Sequence, residues 1–301
     1  MQLNAKKLIE SIGNVFLHQD NYVMKKYAPE FFKGETFIGD YFNYISFELL
    51  GDLPPRVYHS ASPFDLISKK APEQALVFHD GKLELNIDFT GYCTMRTGVM
   101  DALLLQALGI KDLSGKRIII FGSGRVARWS LTYLKEVYPS LTEVDMVNAS
   151  GKSDEFTKFA ADLGVTTTFQ NEPQLELYDI IILHTSATTG VLSAENVSKI
   201  KKGAIITTYK SLQENGELAS EFFDTRKHNV IIDWSESLHA GDVKAAQEKG
   251  FLHEDGIVYL TDILQNGNQL PEKNFTVFRS DGTPMQDVAT LKLILNQKNK
   301  I

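Results

Sequence analysis

The chain has 301 residues, 43% of them apolar and 23% charged, which is typical of a globular protein with a substantial core and room for two domains. The formal net charge of −7 excludes a basic face for DNA or RNA, so we expect no nucleic-acid partner. The single cysteine, Cys93, excludes an intrachain disulfide and a cysteine-based zinc cage. The histidines show no metal-ligand spacing, and we expect no metal centre.

The amino-terminal segment predicts a helix rather than a targeting signal. It lacks the long apolar run of a signal peptide, and Asn4 has the position of a helix N-cap. The pattern predicts a helix over residues 3–27, whose apolar face is formed by Leu8, Ile9, Ile12, Val15 and Phe16. The longest apolar runs elsewhere are too short to span a membrane. We therefore expect a cytoplasmic protein without a membrane partner.

Two further elements follow before residue 113. The stretch ALVFHDGKLELNID predicts a hairpin around Asp80-Gly81, a turn in which both residues need a positive φ. The stretch RTGVMDALLLQALG predicts a helix that ends at Gly109 in the left-handed conformation.

From residue 113 onwards, short strands alternate with helices. Strands are predicted at 117–121, 143–148, 165–169, 179–185, 204–209 and 230–234. Because these strands are nearly continuous in Ile, Val and Leu, they are expected to be buried on both faces of a parallel sheet. The pattern predicts a doubly wound α/β domain over about 113–275. The tail 276–297 predicts a strand, a turn and a helix, which we expect to leave this domain and pack on the first one.

The first turn of the α/β region, GSGRVA, is typical of a dinucleotide site, although an ordinary strand-to-helix turn can have the same sequence. Gly122 permits a tight bend, and Gly124 lets the backbone approach a diphosphate at a helix N-terminus. Ala127 replaces the third glycine of the usual pattern and is still small enough for close packing. The predicted cofactor-binding residues of this turn are Gly122, Ser123, Gly124, Arg125 and Val126.

The strand ends that follow indicate which dinucleotide is bound. An NAD site normally carries Asp or Glu at the end of the second strand, whereas this chain has Asn148, followed by Ser150 and Lys152. We therefore expect NADP(H) or NAD(H) as the cofactor, and the pattern favours NADP(H), although Lys152 is equally explained as a solvated loop charge. Thr185 and Ser186, at the end of the fourth strand, are predicted to lie near the nicotinamide ribose or carboxamide.

Together with this turn, several segments resemble the ornithine cyclodeaminase/μ-crystallin family. The segments are MRTGVMDALLLQALG, IIIFGSGRVA, HTSATTGVLSAENVSKIKKGAIITT, VIIDWSESLHAGD and VFRSDGTPMQDVA. The resemblance implies an α+β substrate-binding and dimerisation domain formed from both chain ends, 1–112 and 280–301, around a Rossmann-type dinucleotide-binding domain over 113–279. It also implies a homodimer.

The resemblance assigns further roles. Arg96 looks like the arginine that holds the substrate carboxylate, and we expect it to lie beside Thr97 at a helix start, where an anion is favoured. Arg56 resembles a second substrate-side arginine. Asp287 matches the family's aspartate near the junction of cofactor and substrate, although a carboxylate in the first turn of a helix is also favourable without a ligand.

The sequence departs from the family pattern at two places. The family's catalytic lysine has no clear counterpart, and Lys69 and Lys70 are candidates by location only, since a solvated loop pair has the same composition. The cyclodeaminases carry an aspartate where this chain has Ser211, which follows Lys210. This serine argues against cyclodeaminase activity, because the base is missing. Lys210 is equally explained as a proton donor or as a solvent-facing lysine, and Ser211 could order a water.

The sequence therefore predicts an enzyme, an NAD(P)H-dependent oxidoreductase that acts on the C=N bond of a small amino-acid-like carboxylate, as a ketimine reductase or an amino acid dehydrogenase does. Lys210 and Ser211 are the catalytic candidates, and Arg96, Arg56 and Thr97 are the substrate-side candidates. The alternatives are a protein that binds NADP and a small ligand without turnover, and an ornithine cyclodeaminase. The identity of the substrate, the direction of the reaction and condensation of an amine with an oxo acid stay open.

Overall fold

The computed structural model describes residues 3–27, 40–51, 53–64, 74–187, 190–209, 216–239, 241–267 and 269–298. The chain divides into two compact units, Met1–Arg96 with Pro284–Ile301, and Thr97–Thr283. The roles assigned to the two domains stay predictions. None of the helices in the described ranges is long and apolar enough to cross a membrane.

The first unit contains an antiparallel sheet. Its strands are β1 (Tyr22–Tyr27), β2 (Asp40–Leu50), β3 (Leu53–Phe64), β4 (Gln74–His79) and β5 (Lys82–Asp88), and each pairs with the next along the chain. The β4–β5 hairpin is confirmed, since Asp80 has a φ of 50° and Gly81 a φ of 68°.

Two helices of the first unit pack together. Helix α1 (Ala5–Leu17) has Asn4 as its N-cap, as predicted, and the Asn4 side chain accepts a hydrogen bond from the Lys7 backbone at 3.1 Å. Helix α7 (Pro284–Lys298) packs on α1, and Ser11 Oγ donates to the Ala289 carbonyl at 2.8 Å. This return of the tail helix to the first unit is confirmed.

The predicted helix over 3–27 is too long. The chain leaves α1 at Leu17, passes through a short 3₁₀ turn, Gln19–Asn21, and continues as β1. The apolar face of the helix stops at Phe16, and the segment after it pairs residue by residue with β2. Pairing with a distant strand therefore overrides the local helical pattern.

Helix α2 (Thr90–Ala107) begins earlier than the sequence indicates. Arg96 and Thr97 are its seventh and eighth residues, so neither lies at a helix start. The predicted favourable effect of the helix N-terminus on an anion bound by Arg96 is wrong, because that effect fades within the first turn. The predicted stop is confirmed, since Gly109 has a φ of 77° and its N–H donates to the Gln106 carbonyl at 2.9 Å.

The second unit is a doubly wound α/β domain, so the predicted fold class is confirmed. Among the described residues its sheet has eight parallel strands in the order β12-β11-β13-β10-β9-β6-β7-β8. The strands are β6 (Ile118–Phe121), β7 (Glu143–Val147), β8 (Thr166–Phe169), β9 (Ile180–Leu183), β10 (Ile205–Thr208), β11 (Asn229–Ile232), β12 (Ile257–Tyr259) and β13 (Thr276–Arg279). The helices are α3 (Arg125–Val137), α4 (Asp154–Asp162), α5 (Gly241–Glu248) and α6 (Leu260–Asn266).

Burial explains the composition of these strands. Every residue of β6, β9, β10, β11 and β13 is buried, as expected for parallel strands covered on both faces. The tail strand β13 lies between β10 and β11. The expectation that the whole tail leaves this domain is therefore wrong for the strand and holds only for α7.

Candidate active site

The glycine turn lies where the strand order reverses. From β6 the chain proceeds through β7 and β8 towards one edge of the sheet, whereas β9, the other neighbour of β6, leads towards the opposite edge. In open α/β sheets, ligands bind at the carboxyl ends of the strands at this switch point. Gly122 directly follows β6 and has a φ of 97°. A Cβ atom at this position would lie 2.2 Å from the His184 carbonyl oxygen, so only glycine lets the ends of β6 and β9 come this close.

Gly124 has a different role in the same turn. It is the N-cap of α3 with extended backbone angles, and no heavy atom of the described residues lies within 4 Å of where its Cβ would be. Arg125 and Val126 open the helix, and the N–H groups of its first turn have no partner within the helix. Ala127 is fully buried. Open space above a helix N-terminus fits a diphosphate group.

The loop after β7 is closed by its own side chains. The Asn148 amide donates to Ser150 Oγ at 2.9 Å and to the Gly151 carbonyl at 3.0 Å. Lys152 lies 3.1 Å from Asp154, and both side chains are mostly exposed. The structure thus brings Asn148 and Ser150 together and pairs Lys152 with an acidic neighbour.

Thr185, after β9, is bound to a carboxylate that the sequence interpretation missed. Its N–H and its hydroxyl donate to Glu217 at 2.8 and 2.6 Å, and Thr208 donates to the same carboxylate at 2.8 Å. Glu217 is buried, whereas Ser186 is exposed. No local pattern around Glu217 indicates that it meets the ends of both β9 and β10.

A second buried carboxylate, Asp101 of α2, lies under the same edge of the sheet. Ser130, His184, Thr207 and Tyr209 all hydrogen-bond to it, at 2.5 to 2.8 Å. Burial opposes ionisation, but the nearby His184 and the hydroxyl donors outweigh it and hold the pKa of Asp101 below its ordinary value. Asp101 is therefore a carboxylate.

In the first unit, two of the predicted site residues, Arg96 and Asp287, form an ion pair. Arg96 Nε donates to Asp287 Oδ1 at 2.9 Å, and Arg96 Nη1 donates to Gln286 at 2.9 Å. Ser60 of β3 donates to the other Asp287 oxygen at 2.6 Å. Both members of the ion pair are buried, so this guanidinium and this carboxylate form a preformed polar group.

Arg56 lies on the same face of β3 as Ser60, because alternate residues of a strand share a face. Arg56 Nε donates to Glu84 at 2.9 Å, and its Nη1 lies 3.9 Å from Glu48. The sequence interpretation missed Lys292 of α7, which hydrogen-bonds to Glu48. The remaining lysine and serine candidates, which are Lys69, Lys70, Lys210 and Ser211, lie outside the described residues.

The parallel sheet and the turn at its switch point define a protein with a Rossmann-type fold. A model of the ornithine cyclodeaminase/mu-crystallin family matches residues 78–300. The chain belongs to this family.

Solved structures share the fold over nearly the whole chain. Δ1-pyrroline-2-carboxylate reductase from Thermococcus litoralis, in complex with NADH and L-proline, is 21% identical, with a TM-score of 0.82 over 99% of this chain and 94% of that chain. An archaeal alanine dehydrogenase dimer with bound NAD is 20% identical, with a TM-score of 0.77 over 99% and 93%. A probable ornithine cyclodeaminase from Bordetella pertussis is 18% identical, with a TM-score of 0.80 over 99% and 94%. No curated protein matches the sequence.

Proposed function

We propose that the protein is an NAD(P)H-dependent oxidoreductase that acts on the C=N bond of a small amino-acid-like carboxylate. The observation that carries this proposal is the turn Gly122–Gly124 at the switch point of the sheet, with open space above Gly124. The reductase in complex with NADH and L-proline and the alanine dehydrogenase with bound NAD, which share the fold, support the same class of reaction.

In this proposal, the residues of the chain bind and orient the cofactor and the substrate. The N–H groups at the start of α3 hold the diphosphate of the cofactor, and Gly122 and Gly124 keep side chains out of its way. Bound there, the nicotinamide cofactor supplies the hydride. Arg96 binds the substrate carboxylate with its planar guanidinium, which Asp287 and Gln286 hold in place, and Arg56 is the second substrate-side cation.

The proposed proton donor is Lys210, or a water ordered by Ser211. Neither residue is a carboxylate, so the base that cyclodeaminase chemistry needs is missing from this position. Besides the hydride that the cofactor would supply to the carbon, reduction of an imine needs a proton for the nitrogen, which a lysine or an ordered water can provide. This difference favours the reductase over the cyclodeaminase.

The proposed cofactor preference is NADP(H) over NAD(H). Asn148 is neutral where NAD sites carry an acid, and Ser150 lies beside it with a hydroxyl that can donate to a 2′-phosphate. Lys152 adds a positive charge in the same loop, although Asp154 partly neutralises it. Parallel titrations with NADPH and NADH test this preference, and equal affinity or tighter NADH binding would contradict it.

We also propose a homodimer that forms through the exposed face of the antiparallel sheet. Val23, Phe47, Val57, Phe78 and Leu83 are cross-strand neighbours in register across all five strands and thus share one face. Val23 is 47% and Leu83 52% exposed, which is unusual for a row of large apolar side chains. Phe47→Glu is expected to convert a dimer to a monomer in light scattering. A wild-type monomer would contradict the proposal.

Activity is tested by following the absorbance of NADPH and NADH with a panel of substrates. The panel consists of 2-oxo acids combined with amines, and of cyclic ketimines. We expect oxidation of the reduced cofactor with at least one of them. Tight NADPH binding without turnover would instead identify a ligand-binding protein, and release of ammonia from ornithine would identify a cyclodeaminase.

A further inference from the structure

The Asp101 cluster, which consists of Asp101, Ser130, His184, Thr207 and Tyr209, has no role in the proposed reaction so far. Three hydroxyls and one imidazole donate to a single buried carboxylate. The ring of Tyr209 also stacks on that of His184, with 4.7 Å between the ring centroids. The histidine ring is therefore held both at its edge and on its face.

The carboxylate determines which nitrogen of His184 carries the proton. An ionised carboxylate can only accept hydrogen bonds, so His184 Nε2, 2.8 Å from Asp101 Oδ2, must donate. In the neutral ring, Nδ1 is then an acceptor with a free lone pair. This atom is buried and has no hydrogen-bond partner among the described residues. Such a group is costly to bury, because it has lost its hydrogen bond to water.

His184 lies at the switch point of the sheet. His184 directly follows β9, and its carbonyl oxygen lies against Gly122 after β6. Nε2, the distal nitrogen, points to Asp101 on α2. Nδ1 is bonded to Cγ and is thus closer than Nε2 to the main chain of residue 184, which directly follows β9.

We propose that His184, oriented by Asp101, is a binding residue of the dinucleotide site, and that its Nδ1 accepts a hydrogen bond from a ribose hydroxyl of the cofactor. Asp101 is a positioning residue, since it acts through the ring. The inference rests on the proposed function, because the switch point holds a ribose only if the protein binds a dinucleotide. The Thr185 hydroxyl is bound to Glu217, whereas His184 Nδ1 is a buried side-chain acceptor at the end of β9 without a partner among the described residues.

A purely structural role for the cluster is the competing explanation, and two substitutions separate the two. A glutamine amide overlays Nε2 of histidine, so His184→Gln keeps a donor for Asp101 and loses the acceptor at Nδ1. An asparagine amide overlays Nδ1, so His184→Asn keeps the acceptor and loses the donor. His228→Gln is the matched control, because His228 is also buried with unpartnered ring nitrogens in the described structure but precedes β11, at the amino edge of the sheet.

The experiment is a fluorescence titration of each variant with NADPH and NADH, together with melting temperatures. We expect His184→Gln to bind about 3- to 10-fold more weakly than wild type, which is the net effect of one hydrogen bond. His184→Asn should bind more tightly than His184→Gln, and the control should bind like wild type. Wild-type affinity in His184→Gln, or weaker binding by His184→Asn than by His184→Gln, would overturn the inference and leave the proposed function intact.

A second measurement does not depend on a folded variant. The ¹⁵N chemical shifts of the His184 ring in the wild-type protein report which nitrogen is protonated. We expect the proton on Nε2, with Nδ1 unprotonated, and a protonated Nδ1 would overturn the inference. If the wild-type protein binds neither dinucleotide, the proposed function fails, and this inference fails with it.

Discussion

Substitution of Gly124 by alanine tests the proposed dinucleotide site with little effect on folding. The backbone of Gly124 suits any residue, and no described heavy atom lies within 4 Å of the new methyl group. Alanine makes the unfolded chain less flexible, which stabilises the fold by about 0.4–1 kcal/mol, but it is a poorer N-cap than glycine. The two effects oppose each other, and we expect the free energy of unfolding to change by less than about 1 kcal/mol.

The methyl group does, however, fill the space above the turn where a diphosphate would approach the backbone. A hydrogen bond to a charged group contributes about 1.5–3 kcal/mol, so losing one such bond weakens dinucleotide binding by roughly 10- to 100-fold. The assay is a fluorescence titration with NADPH alongside a melting curve. Unchanged affinity in a folded Gly124→Ala variant would refute the assignment of this turn to the diphosphate.

Gly122→Ala is the matched comparison two residues earlier. A non-glycine residue in the left-handed region costs about 1–2 kcal/mol. In addition, the new Cβ would lie 2.2 Å from the His184 carbonyl oxygen, so the ends of β6 and β9 would have to move apart. We expect a fall in melting temperature of about 4 °C or more, in contrast to Gly124→Ala. Equal melting temperatures of the two variants would contradict the geometry of the turn.

Three further predictions concern buried ionisable side chains. The His228 ring is stacked on Phe275, with 3.8 Å between the ring centroids, and burial lowers the pKa of His228 to about 4. The neutral imidazole therefore contributes fully to stability above its ordinary pKa of about 6.5, and this contribution is lost as the pH falls from about 6.5 through 4. When the pH is lowered from about 8 to about 5, the free energy of unfolding, measured in urea, should therefore fall by about 2 kcal/mol less in His228→Phe than in wild type. An equal fall in the two proteins would contradict this. Burial, with a smaller contribution from a neighbouring aspartate, raises the pKa of Asp233 to about 6, so its contribution is complete below its ordinary pKa and is lost as the pH rises through 6. Asp233→Asn should accordingly be more stable than wild type at about pH 8, by up to about 3 kcal/mol, and an unfolding midpoint at or below that of wild type would refute this. Arg96→Lys keeps the charge beside Asp287 but loses the planar guanidinium. In the proposed reaction, kcat/KM for an imine that the wild-type protein reduces should fall about 100-fold with unchanged NADPH affinity, and an unaltered kcat/KM would contradict the proposed role of Arg96.

The parts of the fold that could be predicted are those with a local cause. The Asp80-Gly81 hairpin, the stop at Gly109 and the turn at Gly122 each depend on a few adjacent residues and their backbone angles. The start of α2 was predicted too late, because the residues from Thr90 to Met95 carry no strong helix-start pattern. Chain-local reasoning thus finds turns and periodic segments more readily than helix ends.

The polar clusters could not be predicted, because their members are far apart in sequence. Asp101 and His184 are 83 positions apart, and Lys292 and Glu48 are 244 apart. Neither pair has a spacing that indicates contact, and the parallel strands and the return of α7 bring them together. The prediction of Arg96 and Asp287 as site residues rested on family resemblance, and their direct ion pair was not part of it.

The place of β13 in the sheet has a consequence for how this protein folds during synthesis. The strand inserted between β10 and β11 is made after both of them, so each presents an unpaired backbone edge until residue 279 has left the ribosome. A chain cut before Thr276 would lack the middle of its larger sheet, and the exposed edges would favour aggregation. The larger sheet therefore becomes continuous only after Arg279 has been synthesised.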